Sequence, residues 1–207
     1  MKKFYRMILS GLVAGMLLAG SYHYRQQRLQ ENLAGQILRF HVIANSDETE
    51  DQALKLKVRD RIGAYLGGVL SHVEDLEECE RIVQECLPEI EDCAEKVIEK
   101  EGVHYAVTAA VTDADFPKKT YGSYTFPKGR YKALKVTIGD GRGENWWCVM
   151  YPNLCFADSM YEVIDERSKE ELREVLTKED YEEIMAEGEL RVRFKYLDGL
   201  LSLFQKK

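Results

Sequence analysis

Residues 37–44, reading ILRFHVIA, constrain the fold more than any other stretch, because branched and aromatic side chains crowd into a run of strand length. With a side-chain period of two, Ile37, Arg39, His41 and Ile43 share one face, and Leu38, Phe40, Val42 and Ala44 share the other. Asn45, Ser46 and Asp47 follow at once. Each can accept a backbone N–H at a helix start, and Glu48 and Glu50 suit the positive end of a helix dipole. The next residues predict a helix from 49 to 66 or 70, with Leu54, Val58, Ile62, Tyr65 and Val69 on its buried stripe. Asp51, Lys55 and Arg59 recur every four residues on another face, and Gly67-Gly68 ends or frays the helix.

The remaining segments do not alternate strand with helix. Residues 74–101 form an acidic helical segment whose Leu76, Cys79, Val83, Cys86, Ile90, Cys93 and Val97 make one apolar seam. Pro88 must kink or divide it. Strands are expected at 104–112, 131–138 and 146–151, with a polar loop rich in Tyr, Gly and Pro between the first two. A helix over 169–187 and a final strand over 190–196 (LRVRFKY) complete the chain. This order predicts the α+β class: a single two-layer domain over residues 22–207, its mostly antiparallel sheet packed against helices.

An export helix precedes that domain. Lys2, Lys3 and Arg6 stand before an uncharged apolar run over residues 7–20, the pattern of a secretory signal. At roughly 1.5 Å per residue the run reaches about 21 Å, short of a hydrocarbon core of roughly 30 Å. Ala19 and Ser21 fit a cleavage site, whereas Tyr22, Tyr24, Arg25 and Arg28 fit an interfacial anchor. Residues 1–21 are therefore read as a signal peptide or a membrane anchor. The formal charge of −7, from 36 acidic and 29 basic residues, argues against nucleic acid, whose binders gain affinity by neutralising phosphates.

Catalytic and metal-binding motifs do not appear. The chain has no HExxH, GxSxG, Walker loop or DTG-type aspartic protease signature. Its four histidines, His23, His41, His72 and His104, are not paired at metal-ligand spacing. No metal, cofactor or enzymatic activity is expected. Gly-Asp-Gly-Arg-Gly at 139–143 resembles a phosphate cradle, but a strand-like run follows it and not a helix N-terminus. Asp140-Gly141 instead predicts a hairpin turn.

Cys79, Cys86 and Cys93, about 10.5 Å apart in succession on an intact helix, cannot bridge one another and read as small buried hydrophobes. Cys148 and Cys155 flank Tyr151-Pro152-Asn153, a plausible reversal, and are expected to form a disulfide in an oxidising compartment. Trp146 and Trp147 point to opposite faces of a strand, so one can serve the core while the other anchors an interface.

Two blocks carry a family likeness: LRFHVIANSDETEDQALKLKVRD (38–60) and FPKGRYKALKVTIGDGRGENWWCVMYPNLCF (126–156). In order, separation and N-terminal export segment the chain resembles the stage II sporulation protein R family of endospore-forming bacteria. Asn153 stands where that family often has a second proline, and Glu144 where a histidine is common. The resemblance implies a protein made in the forespore and exported into the space between forespore and mother-cell membranes. There it would activate a membrane-embedded aspartic protease that processes the sigma factor E precursor. On this reading the partner-binding surface comprises Arg39, His41, Asn45, Ser46, Asp47, Asp51, Gln52, Lys55, Arg59, Asn145, Trp146 and Trp147. An uncleaved N-terminal segment would add the membrane as a second partner. The competing class is an extracytoplasmic hydrolase acting on the cell wall, with His41 and Asp47 as acid–base or ligand groups. Blander still, the polar cluster could be only helix capping and surface ion pairs such as Asp51–Lys55.

Overall fold

The computed structural model describes residues 2–154 and 166–189. Helix α1 (Lys2–Ala34) is followed by strand β1 (Leu38–Ile43) and helices α2 (Thr49–Val69), α3 (Leu76–Glu85) and α4 (Leu87–Lys100). Strands β2 (Val107–Phe116), β3 (Lys119–Tyr121), β4 (Tyr124–Phe126), β5 (Gly129–Ile138) and β6 (Asn145–Tyr151) come next, then helices α5 (Glu166–Val175) and α6 (Lys178–Glu189). The expected strand at 190–196 lies outside the described residues.

Four strands form one sheet in the order β2-β5-β1-β6. β1 runs parallel to β5 and antiparallel to β6, and β2 runs antiparallel to β5, so the sheet is mixed with mostly antiparallel pairs, as the α+β reading requires. One expectation at its end is corrected. A turn does form, with Gly141 N donating to Ile138 O at 3.1 Å, but β5 and β6 are not hairpin partners because β1 lies between them. The 139–144 loop therefore passes over the end of β1.

Helices cover one face of the sheet, as expected. Leu38, Phe40 and Val42 of β1 pack with Leu54, Val58, Ile62 and Leu66 of α2, and with Cys79, Val83, Ile90, Cys93, Ala94 and Ile98 of α3 and α4. Cys79, Cys86 and Cys93 are free; Cys79 and Cys93 are buried as expected, whereas Cys86 is only half-buried, and burial, with Glu80, Asp75 and Glu78 nearby, pushes the Cys79 thiol up to about 12. The acidic helical segment is split in two: α3 ends at Glu85 and α4 begins at Leu87, with Pro88 in its first turn, where a missing N–H costs nothing.

The opposite face is covered as well, which makes three layers in place of two. Leu29, Leu33 and Ile37 join Phe116, Tyr124, Phe126, Tyr131, Val149, Leu172, Tyr181 and Ile184 in a second core. The segment read as a polar loop supplies its lid, the β3–β4 hairpin. The single helix expected at 169–187 is two, because Thr177 Oγ1 accepts the Asp180 N–H at 3.2 Å and starts a new helix. Likewise α1 is continuous: its first half is apolar and exposed, as at Leu9 and Leu18, while Leu29 and Leu33 are fully buried. It is one helix of sufficient length and apolar character to cross a membrane, which is compatible with an export segment.

Candidate functional site

The residues singled out on the β1–α2 unit separate into two sites, one at the end of β1 and one within its second face. At the end, the side chains of 45–47 do not cap α2, whose N-cap is Glu48 with no side-chain bond. Asn45 and Asp47 turn to the loop that passes overhead, while the Ser46 hydroxyl accepts the Glu48 N–H at 3.2 Å. Asn45 Oδ1 accepts the Asp140 N–H at 3.0 Å, and Asp47 Oδ1 accepts the Glu144 N–H at 2.6 Å. Main chain meets main chain too: Arg142 N donates to Asn45 O (3.1 Å) and Gly143 N to Ala44 O (3.0 Å). A Cβ on Gly143 would collide with the Ser46 carbonyl, so only glycine permits this approach.

The polar face of α2 fastens the assembly from below, one residue per turn. Asp51 Oδ2 accepts from Asn45 Nδ2 (2.8 Å) and Ser46 Oγ (2.6 Å). The Ser46 hydroxyl bond is the main cause that holds the Asp51 carboxyl below its usual pKa. Gln52 Nε2 donates to Ser46 O at 2.9 Å. Lys55 Nζ donates to Glu144 O at 2.9 Å and to Gln52 Oε1, and burial lowers its pKa. One turn later the Arg59 guanidinium lies 5.1 Å from the Trp146 ring centroid. Asp51, Lys55 and Arg59 thus hold three successive chain segments: turn, loop and β6. They are buried, not an open docking face. Asp51 and Lys55 turn to different partners, so the surface ion-pair reading does not describe them. Glu144 contributes through its backbone N–H and C=O, which places little demand on its side chain.

Arg39 and His41 are interior. Arg39 is fully buried and His41 is 3% exposed, because the β3–β4 hairpin and α1 close over their face. The Arg39 guanidinium carbon sits 4.3 Å from the Phe116 ring centroid, with Tyr131, Phe126 and Tyr121 at 5.2, 5.4 and 5.9 Å. Its Nε donates to Cys148 O (2.9 Å) and its Nη2 to the Tyr121 hydroxyl (3.1 Å), while Nη1 has no partner among the described residues. Tyr121 passes the chain on by donating to Trp147 O at 3.1 Å. Burial draws the Arg39 pKa down. His41 stacks on Trp147 at 4.9 Å, and neither ring nitrogen has a hydrogen-bond partner among the described residues. Burial, then Lys135 and Arg39, pull its pKa to about 4, so the ring is neutral near pH 7. Asp47, at the surface, is engaged by Glu144, and the two do not form an acid–base dyad.

Trp146 and Trp147 do serve opposite faces. Trp146 packs edge-on against Phe40 at 5.5 Å, and Trp147 against Phe116 at 4.7 Å; both are half-buried. Asn145 Oδ1 is buried without a partner among the described residues. Cys148 is buried; Cys155 lies outside the described residues, and so does the expected pairing. The chain does reverse at 152–153, where Leu154 N donates to Val149 O at 3.2 Å. Among the described residues no group of His, Cys, Asp and Glu could hold a metal ion. Sequence reasoning missed Tyr121, Phe116 and the backbone of the 139–144 loop; the Tyr-rich composition of 121–131 was the available signal for the aromatic cage.

Comparison with known proteins matches the sequence to one family. The family model described as stage II sporulation protein R matches residues 34–161, a span that includes β1, the crossing loop and all the side chains above. A Bacillus subtilis (strain 168) protein of that name is 32% identical over 184 residues, covering 88% of this chain and 82% of its own. No solved structure matches.

Proposed function

Because this chain belongs to the stage II sporulation protein R family, with the role in sporulation that membership supports, we propose that it is an exported ligand which activates a membrane-embedded aspartic protease, leading to processing of the sigma factor E precursor. Its working compartment is the space between the forespore and mother-cell membranes. The observation that carries the reading is that the family match spans the crossing loop and the turn it is bonded to, an element fastened to the strand end by main-chain hydrogen bonds. Asp47 and the loop residues Asp140 and Arg142 are exposed there, Arg142 by 80% of its side chain. Activation follows if this end prefers the active arrangement of the protease. In the same compartment Cys148 and Cys155 form a disulfide.

The test is co-expression of the chain, with and without residues 1–21, alongside the protease and its substrate. Processing must require both the ligand and its export; processing by the truncated cytosolic form would sink the proposal. For the wall-hydrolase alternative, His41→Gln and Asp47→Asn would abolish activity, whereas for a docking ligand each reduces it in part. The burial and stacking of His41 favour the ligand.

A further inference from the structure

The rigid helix α1 fixes which part of the folded domain approaches a bilayer. A hydrocarbon core of about 30 Å takes roughly 20 residues; centred on the apolar run 7–20 it reaches to about residue 24. Tyr22 and Tyr24 then lie at the interface, where amphipathic rings settle. The helix continues unbroken to Ala34. Six residues beyond Tyr24, Gln30 Nε2 donates to Arg130 O at 2.7 Å, and its side chain packs on Gly129. At about 1.5 Å per residue that contact stands about 9 Å outside the core. The headgroup layer is roughly 5–7 Å deep, so a lysine or arginine side chain at this turn spans the remaining distance once it extends toward the bilayer.

The charges at this end suit such a position. Arg28, Lys128 and Arg130 are exposed. Arg130 has only a loose approach to Asp113, at 3.8 Å, and Arg25 pairs with Glu183 at 3.3 Å. Cations at 25, 28, 118, 119, 128 and 130 face carboxylates at 31, 113, 115 and 183. At the far end of β5, the exposed charges are Asp47, Glu48, Glu50, Asp140 and Glu144 against Arg142. The two ends of the sheet thus carry opposite signs in a chain of net charge −7.

We propose that the 127–130 turn, together with Arg28, seats on anionic phospholipid headgroups of the bilayer that holds α1, so that the crossing loop at the other end of β5 points away from that bilayer. This inference rests on the retained-helix form of the proposed ligand.

The full chain in nanodiscs tests it by lysine acetylation read by mass spectrometry. Lys128 labelling, relative to Lys96 on the distant helix α4, should fall at least fivefold in phosphatidylglycerol discs and remain unchanged in phosphatidylcholine discs. The double variant Arg28→Glu/Arg130→Glu should restore labelling while circular dichroism stays native. Equal labelling in the two lipids, or protection that survives the double variant, overturns the inference. Precursor processing is not part of this readout, so lost protection with intact processing refutes the lipid seat alone, and retained protection without processing refutes the ligand reading alone.

Discussion

The two faces of β1 are both interior, yet they are built differently. Toward α2–α4 the strand presents Leu38, Phe40 and Val42 to an apolar core. Toward α1 and the β3–β4 hairpin it presents Arg39 and His41 among rings. The apolar face is stabilised by area removed from water, about 25 cal/mol per Å². The other face buries a guanidinium without a carboxylate, at a cost of several kcal/mol. Two hydrogen bonds and cation–π contacts, each about 1–2 kcal/mol, offset that cost in part. The difference teaches that strand alternation reports chemistry, whereas the layers packed later decide exposure.

The contrast is broken most directly by paired substitutions. Phe40→Ala should cost about 3–5 kcal/mol through the cavity it leaves. Arg39→Met should cost less than about 1.5 kcal/mol, since it removes a buried charge along with its bonds. Urea denaturation measures both; an Arg39→Met loss equal to that of Phe40→Ala would show the cation to be a net stabiliser.

The next effect is in pH. A His41 held near 4 in the fold and near 6.5 when unfolded favours the folded state above pH 6.5. That stability is lost as pH falls toward 4, by roughly 3 kcal/mol for the full shift. Thermal melts from pH 7 to pH 4 should show the decline, and His41→Phe should flatten it.

At the strand end, Gly143→Ala should destabilise by about 1–3 kcal/mol, because the added methyl meets the Ser46 backbone. Asp51→Ala should cost about 1–2 kcal/mol by leaving Ser46 and Asn45 without their acceptor. Arg142→Ala should change stability by less than about 0.5 kcal/mol and yet lower precursor processing if the exposed loop is the docking element. Unchanged processing would move that role elsewhere.

Much of this architecture was legible in the residues. The α2 stripe of Leu54, Val58 and Ile62, the extents of β5 and β6, and the opposed directions of Trp146 and Trp147 all follow from periodicity. The grouping of Asp51, Lys55 and Arg59 was legible too, since four-residue spacing stacks them on one helix face. Two things were not. The fate of Arg39 and His41 depends on a lid contributed by residues 116–131, a long-range contact that no local pattern encodes. The passage of the 139–144 loop over β1 was hidden because Asp140-Gly141 makes the same local turn whether or not the flanking strands pair.

That crossing carries a consequence for how the molecule is made. Arg39 pairs with Ala133 on one side and Val149 on the other, so the central strand is synthesised, and would emerge from a translocation channel, long before either neighbour. Such non-local pairing slows folding. On the proposed export route the delay is an advantage, since the chain stays threadable until β6 arrives and the loop closes over the strand already in place.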